Sequence, residues 1–231
     1  MKLSILLSII TMMTFFGAYP SPKAVEEKIS FGAYDPSGSY SNLTKISYES
    51  VFFGWNVNMK SYRKSIDTIS EKGRIPLITV EPWQHPNDKQ YLANTLKGAY
   101  DREIKTICNP LQNLPDGTIF RFAHEMELSG RYPWSQADPK SYVAVYQYFV
   151  DKCRALIKTK TNFMWSPSGE AGLEHYWPGE NYVDFVGISI YMNKSWDQTN
   201  IGHSRSFSEI LDSKYKRVFS YNKPIIIAES A

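Results

Sequence analysis

Short apolar runs alternate with longer amphipathic stretches along nearly the whole chain, and this alternation restricts the possible folds more than any other feature. A buried parallel strand reads as a continuous apolar run, and each must be followed by a crossover, usually helical, before the next can begin. Strands are predicted over 29–34, 51–56, 75–81, 118–125, 161–166, 183–191 and 224–229. Apolar residues at helical spacing predict helices over 60–72, 89–108, 139–158 and 207–221, the third opened by the cap and first-turn proline of Asp138-Pro139.

Seven such units fit an α/β fold, a (β/α)₈ TIM-type barrel with its eighth strand missing from this chain. Barrels of that kind run to about 250 residues, so a chain of 231 residues reads as C-terminally truncated. A doubly wound open sheet would want a glycine-rich turn after an early strand, and Asp35-Pro36-Ser37-Gly38-Ser39 lacks that spacing. Residues 1–20 have the basic start and short apolar middle of a secretory signal peptide, which predicts a secreted or periplasmic protein with no stable membrane span after processing. Residues 25–231 then form one domain, expected to be monomeric. A net charge of +3 without any basic block gives no footprint for nucleic acid. Cys108 and Cys153 could pair in an oxidising compartment or remain two buried thiols, and both alternatives stay open at this level.

Two of the predicted strands end in a carboxylate. Gly117 to Glu125 and Lys223 to Glu229 each carry an apolar run up to a glutamate, and strand-end glutamates facing one another are the equipment of a retaining glycosidase. Strand alternation puts Arg121, Ala123 and Glu125 on one face, with Phe120, Phe122 and His124 on the other. It likewise aligns Ile225, Ile227 and Glu229. The expected division of labour has Glu229 ionised as nucleophile, held so by Arg121 and Tyr191, and Glu125 carrying the proton. A structural pair of Arg121 and Glu125 at a strand end is the alternative for that site taken alone.

Other chemistries fail on spacing. His124-Glu125-Met126-Glu127-Leu128 has leucine where a zinc-protease helix needs its second histidine, and the four histidines at 85, 124, 175 and 203 make no ligand cluster with the two cysteines. No Gly-x-Ser-x-Gly elbow occurs. No cofactor and no metal are expected. Aromatic residues make up 15% of the chain and gather where the loops at the strand ends should lie: Trp83, Tyr132, Trp134, Trp165, Tyr176, Trp177, Tyr191 and Trp196. Sugar rings stack on such side chains, so the partner expected is a polysaccharide, with Trp165 able to serve core and cleft alike.

Arg121-Phe122-Ala123-His124-Glu125-Met126, Tyr132-Pro133-Trp134, Trp165-Ser166-Pro167, Tyr176-Trp177-Pro178-Gly179, the run from Tyr182 to Ile188, and Ala228-Glu229 occur in the order found in glycoside hydrolase family 26, which the chain resembles. Phe31-Gly32-Ala33-Tyr34 and Glu81-Pro82-Trp83 extend the resemblance. It implies a retaining endo-β-1,4-mannanase, or a mixed-linkage glucanase or β-1,3-xylanase of the same family. It also implies Glu125 as acid/base, Glu229 as nucleophile, His124 beside the −1 sugar, Trp134 as a platform near the leaving group and Tyr191 as a donor to the nucleophile. Trp83, Trp165 and Trp196 complete the expected substrate-binding set, supported by Arg121. The segment Glu127-Leu128-Ser129-Gly130-Arg131 departs from the family, which has Asn-Gly and an aromatic residue there. A saccharide-binding or exopolysaccharide accessory protein without catalysis is the alternative from another class.

Overall fold

The computed structural model describes residues 29–83, 90–108, 114–135 and 137–231, so the predicted signal segment lies outside the described residues. Seven strands, β1 (Phe31–Tyr34), β2 (Ile46–Gly54), β3 (Ile75–Glu81), β4 (Ile119–Phe122), β5 (Asn162–Trp165), β6 (Phe185–Ile190) and β7 (Ile225–Ser230), pair in sequence order. Every pairing is parallel. The arrangement is a curled sheet matching a (β/α)₈ barrel without its eighth strand. The crossovers are α1 (Met59–Glu71), the pair α2 (Tyr91–Leu96) and α3 (Asp101–Cys108), α4 (Pro139–Leu156), and the pair α5 (Lys194–Asn200) and α6 (Phe207–Val218).

Alternation along the strands divides the apolar residues into two clusters. Ile78, Val80, Phe120, Phe122, Phe163, Trp165, Val186 and Ile188 face the helices and pack with α1 to α4 and α6 as the main core. Leu77, Ile119 and Met164, with Tyr48, Phe185, Ile226 and Ala228 against them, form a separate cluster on the inner face. This inner cluster is the floor beneath the polar residues described below.

Several expected boundaries moved for identifiable reasons. Strand β2 begins at Ile46, earlier than its apolar run, because the carboxylate of Glu49 is neutralised where it is buried. Arg74 Nη1 meets it at 2.6 Å and Lys72 Nζ at 3.0 Å, and both cations also face Asp35. The single helix expected over 89–108 is two, since Gly98 takes φ of +81° between them. Helix α5 went unpredicted. Its sequence is polar, and it is set by the side chain of Asn193 capping Trp196 N and by buried Asp197 pairing with Arg205 at 2.8 Å. Cys108 and Cys153 are joined, with Cα atoms 5.1 Å apart, tying the end of α3 to α4.

Candidate active site

Arg121 stands on the inner face of β4, fully buried, and its Nη1 lies 2.6 Å from Oε1 of Glu229 at the end of β7. Apart from this ion pair, the buried guanidinium is anchored through its Nε, while Nη2 has no hydrogen-bond partner among the described residues. Ser166 Oγ accepts from Arg121 Nε at 3.1 Å, and Gly187 on β6 leaves the room that Ser166 fills. Tyr191, just past β6, donates its hydroxyl to the other oxygen of Glu229. The Glu229 carboxylate is therefore held between a cation and a phenol. Burial first, then the hydrogen bond and charge of that carboxylate, pushes the Tyr191 phenol well above the usual tyrosine range, so it remains a donor.

Two backbone irregularities aim the glutamates, and each overturns the simple alternation expected for its strand. Strand β4 ends at Phe122 because Ala123 and Glu125 take φ of +47° and +54°, while their N–H groups still bond to Val80 O in β3 and to Ser166 O just past β5. The left-handed turn at Ala123 brings His124 to the side of Arg121. His124 Nε2 then lies 4.0 Å from Oε1 of Glu229 instead of facing the helices. In β7 the register passes from Ile188 opposite Ile227 directly to Ser189 opposite Glu229, which makes Ala228 the extra residue of a bulge. Hence Ile226 and Ala228 pack on the inner floor and Ile225 on the helix-facing core, and the bulge turns Glu229 inward.

Glu125 is only 2% exposed. Its Oε2 lies 3.2 Å from Nε of Arg131. Tyr132 and Tyr191 each feel the charge of both Glu125 and Glu229, so the two carboxyls share one electrostatic site. His124 is neutral there. Burial first, then Arg121 and Arg131, holds its imidazole well below the usual histidine range. A third carboxylate was not singled out in the sequence: Glu81, at the end of β3, hydrogen-bonds the Trp83 side chain and feels Arg121 and Glu229, with burial pushing it up. Its signal was its position alone, at a strand's C-terminal end.

The structure brings Arg121, His124, Glu125, Tyr191 and Glu229 together, with Trp83 at the rim beside Glu81. It does not give Trp134 or Trp165 a face for a ligand. Trp134 is fully buried under Tyr132, rings parallel and 4.7 Å apart, because its Nε1 is drawn in to donate to the carbonyl of His124 at 2.7 Å. Tyr132 covers it on the site side. Trp165 points to the helices and is enclosed by Trp177 and Tyr221. Trp196 is half exposed on α5 with Arg205 over its ring, in contact with neither glutamate.

A family model described as glycosyl hydrolase family 26 matches residues 80–215, more than half of the chain. Endoglucanase H of Acetivibrio thermocellus is 28% identical over 194 residues, covering 78% of this chain and 20% of that protein. A β-1,3-xylanase of an Alcaligenes species is 24% identical over 148 residues, covering 61% of this chain and 28% of its own length. The chain thus spans well under a third of these curated relatives. Among solved structures, a GH26 β-mannanase from Bacteroides ovatus, BoMan26A, superposes with a TM-score of 0.63 over 89% of this chain and 72% of its own, at 17% identity. At that identity the likeness is one of fold.

Proposed function

The chain belongs to glycosyl hydrolase family 26, and from that premise we propose that it cleaves β-linked polysaccharide by double displacement, with Glu229 as nucleophile and Glu125 as acid/base. The observation that carries this reading is the treatment of Glu229. A carboxylate faced by Arg121 on one oxygen and Tyr191 on the other is held and aimed, while Glu125 waits on a separate loop. In the first step Glu229 attacks the anomeric carbon as Glu125 gives its proton to the departing glycosidic oxygen, leaving a glycosyl ester on Glu229. In the second, Glu125 takes a proton from water, the water oxygen bonds to the anomeric carbon, and the ester breaks to return Glu229 as carboxylate. Neutral His124 and the Tyr132 hydroxyl, 3.0 Å apart, offer hydrogen bonds to sugar hydroxyls beside Glu229.

Of the candidate backbones, β-glucan takes precedence over the β-mannan to which the motifs point, because the endoglucanase relative shares residues across most of the chain whereas the mannanase likeness is one of fold. The same reading has the protein exported, since polysaccharides do not enter cells and the basic, then apolar, start of the sequence suits a secretory signal.

The test compares Glu229→Ala and Glu125→Ala on β-glucan, β-mannan, xylan and an aryl glycoside whose leaving group needs no proton. Glu229→Ala should lose several orders of magnitude on all of them. Glu125→Ala should fail on the polymers yet spare glycosylation by the aryl substrate, accumulate a covalent intermediate and be rescued by azide. Equal loss on natural and activated substrates, with no trapped intermediate, removes Glu125 from the acid/base role.

A further inference from the structure

The segment that departs from the family pattern ends in an arginine against the proposed acid/base. Gly130, at φ of +64° in open space, turns the chain so that Arg131 reaches back to Glu125. Arg131 Nε lies 3.2 Å from Glu125 Oε2, an oxygen with no hydrogen-bond donor among the described residues. The arginine side chain is 53% exposed. An exposed arginine ordinarily samples many rotamers, and its ion pairs are correspondingly weak. Here it is fixed from below. The guanidinium lies over the Tyr132 ring at 5.6 Å, and its Nε also donates to the Tyr132 hydroxyl at 3.3 Å. Tyr132 in turn stacks on buried Trp134 and hydrogen-bonds His124. A column of Trp134, Tyr132 and Arg131 rises from the core and ends at the carboxyl of Glu125.

We propose that Arg131 is a positioning residue for the acid/base, presented by this aromatic column to stabilise the carboxylate that Glu125 becomes as it gives up its proton. The inference rests on the reading of Glu125 as acid/base. In the first step negative charge leaves Glu229, which forms an ester, and appears on Glu125, whose proton has gone to the leaving oxygen. In the second step the charge returns to Glu229 as Glu125 takes up the proton of water. One guanidinium faces each end of that transfer, Arg121 at Glu229 and Arg131 at Glu125. A cation at the position where charge develops stabilises the transition state, and the leaving groups that most need a proton benefit most.

Substitution of Arg131 should therefore act through Glu125 and in proportion to the need for proton donation. The measurement is kcat/KM, which reports glycosylation, for Arg131→Gln and Arg131→Lys on polysaccharide and on the activated aryl glycoside, in the wild-type and Glu125→Ala backgrounds. Arg131→Gln should lower kcat/KM on polysaccharide by about tenfold or more and change the aryl glycoside by less than about twofold. Arg131→Lys should recover part of the loss, because it keeps the charge without the planar fork. In the Glu125→Ala background, Arg131→Gln should change the aryl glycoside rate no further. A loss equal on both substrates, or one that persists undiminished without Glu125, assigns Arg131 to loop structure alone and overturns the inference while leaving the acid/base reading intact. If Glu125→Ala itself falls equally on both substrates, or the wild type turns over neither, the underlying reading fails and this inference with it.

Discussion

Gly187→Ala is a one-carbon change that should damage both the fold and the site. Gly187 faces inward on β6, between Val186 and Ile188 of the helix-facing core. A Cβ at this position would lie 2.6 Å from Ser166 Oγ and 2.9 Å from both Ser166 Cβ and Met164 Sδ, against 3.4–4 Å for ordinary contact. Strands β5 and β6 must therefore part by about 1 Å, or Ser166 must rotate away, and overpacking of this kind costs about 1–3 kcal/mol. Either movement withdraws the acceptor 3.1 Å from Arg121 Nε, leaving a buried guanidinium donor unmet for about 1–3 kcal/mol more. The two penalties overlap, so about 2–4 kcal/mol is expected, a fall of roughly 5–15 °C in Tm for a domain of this size. Urea unfolding followed by tryptophan fluorescence measures it. Because Arg121 sets the position of Glu229, turnover should fall about a hundredfold for an ångström of misplacement. The double variant Gly187→Ala with Ser166→Ala removes the nearest clashing atom. It should regain part of the stability without regaining activity. A single variant that unfolds within about 0.5 kcal/mol of the wild type would refute the packing argument.

Replacing Cys108 and Cys153 together by alanine should cost about 2–4 kcal/mol, since the bridge closes a long loop in the unfolded chain; mass spectrometry finding both thiols free in oxidised wild-type protein would refute the pairing. His124 should make the protein sensitive to acid. Its folded value lies well below the ordinary 6.5 of the unfolded chain, so its contribution is complete above about pH 6.5 and declines as pH falls towards the folded value, by at most about 1.4 kcal/mol per pH unit. Burial pushes Glu81 and Glu127 up, which has the opposite sign, so the informative quantity is the difference between wild type and His124→Gln in unfolding free energy at pH 7.5 and pH 5. An equal decline in both proteins would show that His124 does not titrate as described.

The strand order and the two glutamates were legible because both rest on local signals, an apolar run and a carboxylate at its end. What escaped the sequence was set by contacts between distant elements. Period-two counting assumes unbroken strand geometry, and it failed where Ala123 turns left-handed and where Ala228 bulges, which brought His124 into the site and put Glu229 on the opposite face from Ile225 and Ile227. Trp134 and Trp165 looked like cleft residues by composition. Their burial depends on a carbonyl at His124 and on Trp177 and Tyr221, partners that no local pattern reveals. The early start of β2 required knowing that Lys72 and Arg74 fold back onto Glu49. Arg131 was visible only as a departure from a motif, and its meaning needed Tyr132 beneath it and Glu125 beside it.

The left-handed backbone at Ala123 and Glu125 bears on how such a site persists through evolution. Each residue with a Cβ in that region carries a penalty of about 1–2 kcal/mol that glycine would not. Drift under selection for stability alone would favour glycine at both positions, and the second such change deletes the carboxylate. Lineages released from selection for catalysis therefore have a downhill route to a firmer, inert saccharide-binding barrel. At position 125, then, firmness of the fold and the proposed chemistry pull in opposite directions: Glu125→Gly would relieve the left-handed backbone and delete the carboxylate in one step.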